Sequence, residues 1–309
     1  MKVLFVSGGN SNTGISPLIK AQGDSLEQLG LSVDYYQIIG KGFWGYLANV
    51  GPLRKKIKRS EYDLVHAHFS FSGFVSALAG ARPLVVSLMG WNVQRPLLKI
   101  LIKVFNWLYW RACIVKSNGM RDSLKIRNLV LLPNGVDLEL FRPLDKQKAR
   151  TYLGWSQEHR HILFAADPAR PIKDYPLAQQ AFELLARKTN AKLHVLQDVK
   201  HSDMPYLYNA ADVIMLTSKA EGSPNVIKEA MACNCVIVST DVGDVKERFG
   251  NNEACFICRH DPADVCAKLL NALVFTGAVN TREAVLNLDS QQIAQRLLAI
   301  YNSVLNQRL

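Results

Sequence analysis

Short apolar runs and longer amphipathic stretches alternate along the chain. Residues 3–6, 33–39, 63–68, 84–89, 112–116 and 129–132 have the length and apolar content of strands buried on both faces. Glycine and proline punctuate the intervals between them. Pro17 opens a helical stretch over residues 17–29 that Gly30 closes, and a small helix is expected over 73–79. After a short basic helix at 144–154 the pattern restarts. Strands are expected at 161–165, 193–196, 212–216, 236–239 and 254–257, with helices at 177–188, 204–210 and 262–273 and an amphipathic tail over 289–306. About six strands and then about five, each alternating with helices, predict an α/β protein built from two Rossmann-like sheets in series. The expected division is residues 1–143, residues 144–290, and a C-terminal helix at 291–309 that packs back on the first domain.

One stretch departs from this rhythm. Residues 95–111 carry Arg95, Lys99, Lys103 and Asn106 at helical spacing, with leucine, isoleucine, valine, phenylalanine, tyrosine and tryptophan filling nearly everything between. A narrow basic stripe on a very wide apolar helix fits a helix buried against a sheet. It also fits one lying among lipid headgroups. Core packing of most of these apolar residues is the expectation.

Composition narrows the class. At 309 residues and 49% apolar, the chain has the makeup of an ordered globular protein. Its net charge of +11 is uneven. Residues 1–150 hold 21 Lys and Arg against 9 Asp and Glu; residues 151–309 hold 16 against 17. A basic half suits an anionic membrane or an acidic substrate, and no nucleic-acid-binding motif accompanies it. Residues 2–6 run straight into Ser7-Gly8-Gly9-Asn10, so no signal peptide is expected, and no apolar run is long enough to span a bilayer. Cys255 and Cys258 form a C-x-x-C near Cys233 and Cys235. All sit in or beside expected strands, where cysteine is a small apolar filler, so no metal site is expected. The cysteine usage fits a reducing cytosol.

The candidate chemistry gathers in residues 216–247. There a strand, a glycine turn, a short helix and another strand carry Glu221 and Glu229 with seven residues between them. Ser223 is the expected N-cap and Pro224 the first helical residue. A helix start beyond the end of a parallel strand is a place where phosphates bind. One carboxylate then meets a ligand in the loop and the other takes hydroxyls, a geometry that suits a nucleotide-linked sugar. Such residues also occur as ordinary solvated first-turn charge. Arg170 and Lys173, in the loop after the strand at 161–165, can neutralise a diphosphate or be surface charge. His68 ends its strand at the ligand-binding edge of the sheet, where it can bond a sugar hydroxyl or serve structure. Residues 7–14 form a glycine-rich loop without the dinucleotide spacing, and it allows backbone N–H groups near a phosphate.

On these motifs the chain resembles the family 4 retaining glycosyltransferases. The E-x7-E element runs from Glu221 to Glu229 and continues into Ala230-Met231-Ala232. Asn134-Gly135-Val136-Asp137, the strand end Asp63 to His68, Lys173 and the loop from Gly8 to Gly14 also match. The resemblance implies a GT-B fold, two Rossmann-like domains facing each other across a cleft. It implies transfer from a nucleoside-diphosphate sugar, UDP- or GDP-linked, to a glycan or lipid-linked acceptor in cell-surface polysaccharide or glycolipid synthesis, with no metal or other cofactor. The enzyme would be cytoplasmic and peripheral at the inner face of the plasma membrane. By resemblance Glu229 holds ribose hydroxyls and Glu221 contacts the donor sugar. Lys173 with Arg170 binds the diphosphate, together with backbone N–H groups from Ser223, Pro224's neighbour Asn225, and Val226. His68 touches the sugar, and Gly9 or Gly14 lets the loop approach the phosphates. The chain departs from the family pattern at Pro168, at Asn234-Cys235 and at Met89-Gly90-Trp91-Asn92. Two rivals share the scaffold: a nucleotide-sugar 2-epimerase, and a non-catalytic sugar-nucleotide-binding scaffold of a polysaccharide assembly complex.

Overall fold

The computed structural model describes residues 1–10, 14–90, 93, 95–126, 128–197 and 199–306. Two compact units emerge. One comprises residues 1–135 with 290–309, the other residues 136–289. The division falls eight residues ahead of the expected 143/144 boundary.

The first unit is a six-stranded parallel sheet. Its strands are β1 (Lys2–Gly8), β2 (Ser32–Ile38), β3 (Leu64–His68), β4 (Leu84–Leu88), β5 (Ala112–Val115) and β6 (Leu129–Leu131), in the order β2-β1-β3-β4-β5-β6. The apolar residues of the inner strands β1, β3, β4 and β5 are almost wholly buried, as a sheet covered on both faces requires, whereas the edge strands β2 and β6 are partly exposed. The helices are α1 (Pro17–Glu27), α2 (Gly42–Leu47), α3 (Val50–Arg59), α4 (Ser70–Leu78), α5 (Pro96–Leu108) and α6 (Asn118–Leu124). Two helices, α2 and α3, thus fill the connection between β2 and β3. Right-handed crossovers place α1 on one face and α3, α4 and α5 on the other. In agreement, α4 contacts both α3 and α5.

The second unit is a five-stranded parallel sheet of β7 (Arg160–Phe164), β8 (Ala191–Val195), β9 (Val213–Leu216), β10 (Ile237–Thr240) and β11 (Cys255–Cys258), in the order β11-β10-β9-β7-β8. Its helices are α7 (Lys146–Leu153), α8 (Tyr175–Ala186), α9 (Met204–Ala210), α10 (Asn225–Ala232), α11 (Val245–Phe249) and α12 (Pro262–Leu273). Asp145 and Asp261 cap α7 and α12 through their side chains, each accepting a bond from the backbone N–H three residues on.

The last helix, α13 (Ser290–Asn306), belongs to the first unit and packs against α1. Ile293, Ala294, Leu297, Tyr301 and Val304 form its buried stripe. Tyr301 is fully buried and its hydroxyl lies 2.6 Å from His66 Nδ1 on β3. The two connections between the units run side by side: Val136 N–H donates to the Leu288 carbonyl at 2.9 Å, and Val136 pairs with Asp289.

The stretch at 95–111 does not pack as expected. Only Leu98, Ile102 and Asn106 of α5 are buried. Leu97, Ile100, Leu101, Val104, Trp107 and Leu108 are exposed. The sheet takes only one side of this helix, so a helix with so wide an apolar face must turn apolar residues outward as well.

Candidate active site

In the second unit the chain passes from β7 to β8 on one side of the sheet, then to β9 on the other side of β7. The crevice beyond the carboxyl ends of β7 and β9 is therefore a topological switch point, where open α/β sheets bind ligands. The loops leaving these two strands carry Lys173 and Glu221. The structure brings them together: Lys173 Nζ donates to Glu221 Oε1 at 2.5 Å, and Ser218 Oγ donates to the same oxygen at 2.9 Å. Lys173 is buried and Glu221 is half-buried. A buried ammonium needs such a partner, because desolvating it alone is costly.

Backbone geometry fixes both residues. Lys173 lies in a 3-10 turn, Pro171–Lys173, that ends at Asp174 with φ of +50°. Thr217, just beyond β9, clamps the turn by donating its hydroxyl to the carbonyls of Lys173 and Asp174 at 3.1 and 3.0 Å. Lys219 N–H adds a bond to the Ile172 carbonyl at 2.9 Å. On the other side Thr240 Oγ1 donates to the Ser218 carbonyl at 2.8 Å. Gly243, with φ of +63°, lies so close to Gly222 that an added Cβ would meet its carbonyl oxygen at 2.8 Å. The loop after β10 thus rests directly on the Glu221 loop.

The start of α10 differs from expectation. Asn225 is its first residue and Pro224 occupies the cap position, with no side-chain cap bond. Ser223 does not cap the helix, because its hydroxyl donates to Asp244 Oδ2 at 2.8 Å. Asp244 is buried, and the same oxygen also accepts from Arg248 Nε at 3.0 Å. The backbone N–H groups at the head of α10 therefore have no side-chain cap. Glu229 lies one turn further along, half-buried, and accepts from Tyr208 Oη at 2.8 Å. Burial pushes its carboxyl above the usual range, partly offset by the Tyr208 bond. Beside it Lys228 is buried, and burial lowers its ammonium to about 8 against the pull of Asp244. Arg170 is exposed at the start of the Lys173 turn.

Tyr208, Ser218, Lys228 and Asp244 were not singled out by the sequence. Lys228 had one signal, a lysine beside Ile227 on the inner side of a short apolar helix. The others come from distant segments.

In the first unit the switch point lies between β1 and β3. It holds Gly9 and His68. His68 is fully buried, edge-on to Phe5 and 4.3 Å centroid to centroid from His66. Neither of its ring nitrogens has a hydrogen-bond partner among the described residues. Burial, with Lys116 nearby, lowers its imidazole to about 3, so it is neutral. Phe69, after it, adopts φ of +73°, an unusual backbone for a bulky residue. Gly9 abuts β2: a Cβ there would come within 2.7 Å of Gln37 Cβ. Gly14 has φ of +69°, and residues 11–13 between them lie outside the described residues. The departures at Trp91 and Asn92 lie outside them too. No group of three or more His, Cys, Asp or Glu among the described residues is arranged to hold a metal ion.

Two units, each a parallel sheet flanked by helices, give the architecture of the GT-B class. Residues 21–140 match the family described as "Glycosyltransferase Family 4", and residues 161–274 match "Glycosyl transferases group 1". The chain thus has the GT-B fold and is related in sequence to the family 4 sugar transferases.

Among curated proteins it is 29% identical to the putative teichuronic acid biosynthesis glycosyltransferase TuaC of Bacillus subtilis, over 62% of this chain and 56% of that one. It is 24% identical to the UDP-Gal:alpha-D-GlcNAc-diphosphoundecaprenol alpha-1,3-galactosyltransferase of Escherichia coli, over 82% of this chain and 75% of that one. The sucrose-phosphate synthase structure from Thermosynechococcus elongatus superposes with a TM-score of 0.78, at 16% identity and 99% coverage of both chains, and so shares the fold.

Proposed function

We propose that the protein transfers a sugar, with retention at the anomeric carbon, from a UDP- or GDP-linked donor to a glycan or lipid-linked acceptor. The observation that carries this reading is the Lys173–Glu221 pair where the loops after β7 and β9 meet. It sets the Lys173 side chain at the strand edge where a diphosphate would bind, on a partner that offsets its burial. Exposed Arg170, three residues away, supplies a second cation. The N–H groups at the head of α10 add to the anion site. Glu229 accepts the ribose hydroxyls, displacing or sharing its Tyr208 bond.

In the reaction the bond from the anomeric carbon to the diphosphate oxygen breaks, and the acceptor oxygen bonds to that carbon from the same face. The acceptor proton passes to the departing phosphate. Lys173, Arg170 and the helix start stabilise the charge that grows on the diphosphate. The reading does not need His68, whose ring is sealed within its unit; Gly9 and Gly14 are required by packing and backbone conformation in any case.

Of the relatives named above, one is a putative teichuronic acid biosynthesis glycosyltransferase and the other is a galactosyltransferase for a diphosphoundecaprenol-linked sugar, which supports a lipid-linked acceptor and a role in cell-surface polysaccharide or glycolipid assembly. The positive balance of residues 1–150 supports contact with an anionic membrane, and so a position at the cytoplasmic face.

The test is to incubate the purified chain with UDP-, GDP-, ADP- and dTDP-sugars, with and without lipid acceptor extract, and read the products by mass spectrometry. Nucleotide release from one donor, faster with acceptor, is the expected result. Donor binding without release in every mixture would instead favour a sugar-nucleotide-binding scaffold.

A further inference from the structure

α5 buries one stripe and presents the opposite one as an apolar ridge. At about 100° per residue, Leu98, Ile102 and Asn106 point to the sheet. Trp107, Ile100, Val104, Leu97, Leu108 and Leu101 then fan over an arc of about 120° on the other side. These six are between 43% and 81% exposed, with Trp107 the most exposed and Val104 the least. A helix on the surface of a water-soluble unit turns its polar side outward; this one keeps an apolar arc there. A contiguous apolar patch of this kind marks a contact surface.

The rim of the ridge is basic. Lys99 and Lys103 follow one edge of the arc, Arg95 precedes the helix and Arg111 follows it. Lys103, Arg111 and Lys125 line a groove beside Trp107 and Trp110, and Arg82 joins Arg111 in a second groove beside Trp107. No Asp or Glu occurs in the sequence between Asp63 and Asp122. The side of the sheet that carries α5 also carries α2, where Phe43 and Trp44 are exposed. Ring contacts Tyr46–Phe71, Phe71–Phe74 and Phe74–Phe105 link α2 to α5 through α4.

We propose that α5 lies in the headgroup layer of an anionic lipid bilayer, with its apolar arc below the phosphates, Lys99, Lys103 and Arg111 on them, and Trp107 at the boundary. Three observations select this occupant. The ridge is a single convex helix, which fits a plane. Its rim has one sign of charge, which complements anionic lipid. A second copy of this chain would bring the same basic rim against itself, since a two-fold contact juxtaposes identical patches. The helix is 13 residues long, and no helix among the described residues is long and apolar enough to cross a membrane, so α5 lies along the surface. The proposal rests on the reading of a membrane-presented acceptor for its purpose, while lipid binding is measurable without any transfer.

The test is co-sedimentation of the full chain with phosphatidylcholine vesicles, with and without phosphatidylglycerol, at low and high salt. The unchanged chain is expected to bind the phosphatidylglycerol vesicles, and salt to weaken binding. Ile100→Glu with Trp107→Glu is expected to weaken it by about tenfold or more, and Lys99→Glu with Lys103→Glu to remove its salt dependence. Ile100, Trp107 and Lys103 are exposed and Lys99 half-buried, so thermal melting checks that both variants fold. Absence of vesicle binding by the unchanged chain at low salt would overturn the proposal. So would equal binding by the Ile100/Trp107 variant, or a dimer in solution that this variant splits. Donor turnover with a water-soluble acceptor is followed in parallel. Vesicle binding without turnover supports the ridge and overturns the transfer reading, whereas turnover without vesicle binding does the reverse.

Discussion

Between β7 and β9, the loops at the carboxyl edge hold a lysine, two glutamates and a helix start, each charge with a named partner. Between β1 and β3, the equivalent edge holds a glycine pressed on Gln37 and a histidine sealed under Phe5. The strand connections are alike: in each unit the second strand lies on one side of the first and the third on the other. Topology therefore makes a crevice in both, and side chains decide what it can bind. The positive charge of the first half does not collect at its switch point, where His66 and His68 are both kept neutral by burial. Part of it rims the outer helix α5.

The comparison is broken most directly at Lys173. Lys173→Ala removes the buried cation and leaves Glu221 with Ser218 alone among the described residues, so transfer should fall by about 10²–10³-fold in a nucleotide-release assay. An unchanged rate would mean that the charged crevice is not the one used. A sharper probe is Glu229→Ala, which should raise the KM for donor by about 10–100-fold and alter kcat little, as expected for loss of hydrogen bonds to the nucleotide. Because burial raises the Glu229 carboxyl, the protonated form persists to higher pH than in an ordinary glutamate. Donor affinity should therefore weaken on acidification already above the usual carboxylate range, and Glu229→Gln should lose that pH dependence.

Lys228 sharpens the contrast through stability. Its folded value of about 8 lies below the 10.5 of the unfolded chain. Between those values the unfolded chain holds more protons, so this lysine makes stability rise with pH from 8 to 10.5, by on the order of 3 kcal/mol. Denaturant unfolding at pH 7.5 and 10 should show that rise, and Lys228→Met should remove its share. The smallest effect belongs to the other crevice. His68→Leu replaces two unpartnered buried ring nitrogens with an apolar group. It should alter stability by about 1 kcal/mol or less and leave nucleotide release unchanged. A loss comparable to that of Lys173→Ala would give His68 a part in the chemistry and erase the contrast.

The sheets were legible because buried parallel strands are short apolar runs and little else in the chain looks like them. Glu221, Glu229 and Lys173 were legible because each stands in a loop or helix head that glycine and proline mark. Their supports were not. Tyr208 reaches Glu229 across 21 residues and Asp244 reaches Ser223 across 21, and no local pattern announces either bond. The same distance effect defeated the expected cap: a serine before a proline and a helix satisfies the local rule, but a buried carboxylate elsewhere in the chain takes its hydroxyl. In α5 the difficulty was different. Periodicity distinguishes inside from outside only where the two sides differ in polarity, and here both are apolar.

Tyr301 and His66 stand 235 residues apart in the chain and touch in the same unit. Between them the whole five-stranded unit is inserted, its two ends tied at Val136 and Asp289. On a ribosome the six strands of the first sheet emerge early, but the helix that covers α1 and supplies the partner of His66 arrives only after residues 136–289 have been made. Until then the first sheet waits with one flank bare. The second unit, by contrast, is continuous in sequence and can settle as soon as it appears, so the order of synthesis is the reverse of the order in which the two units can be completed.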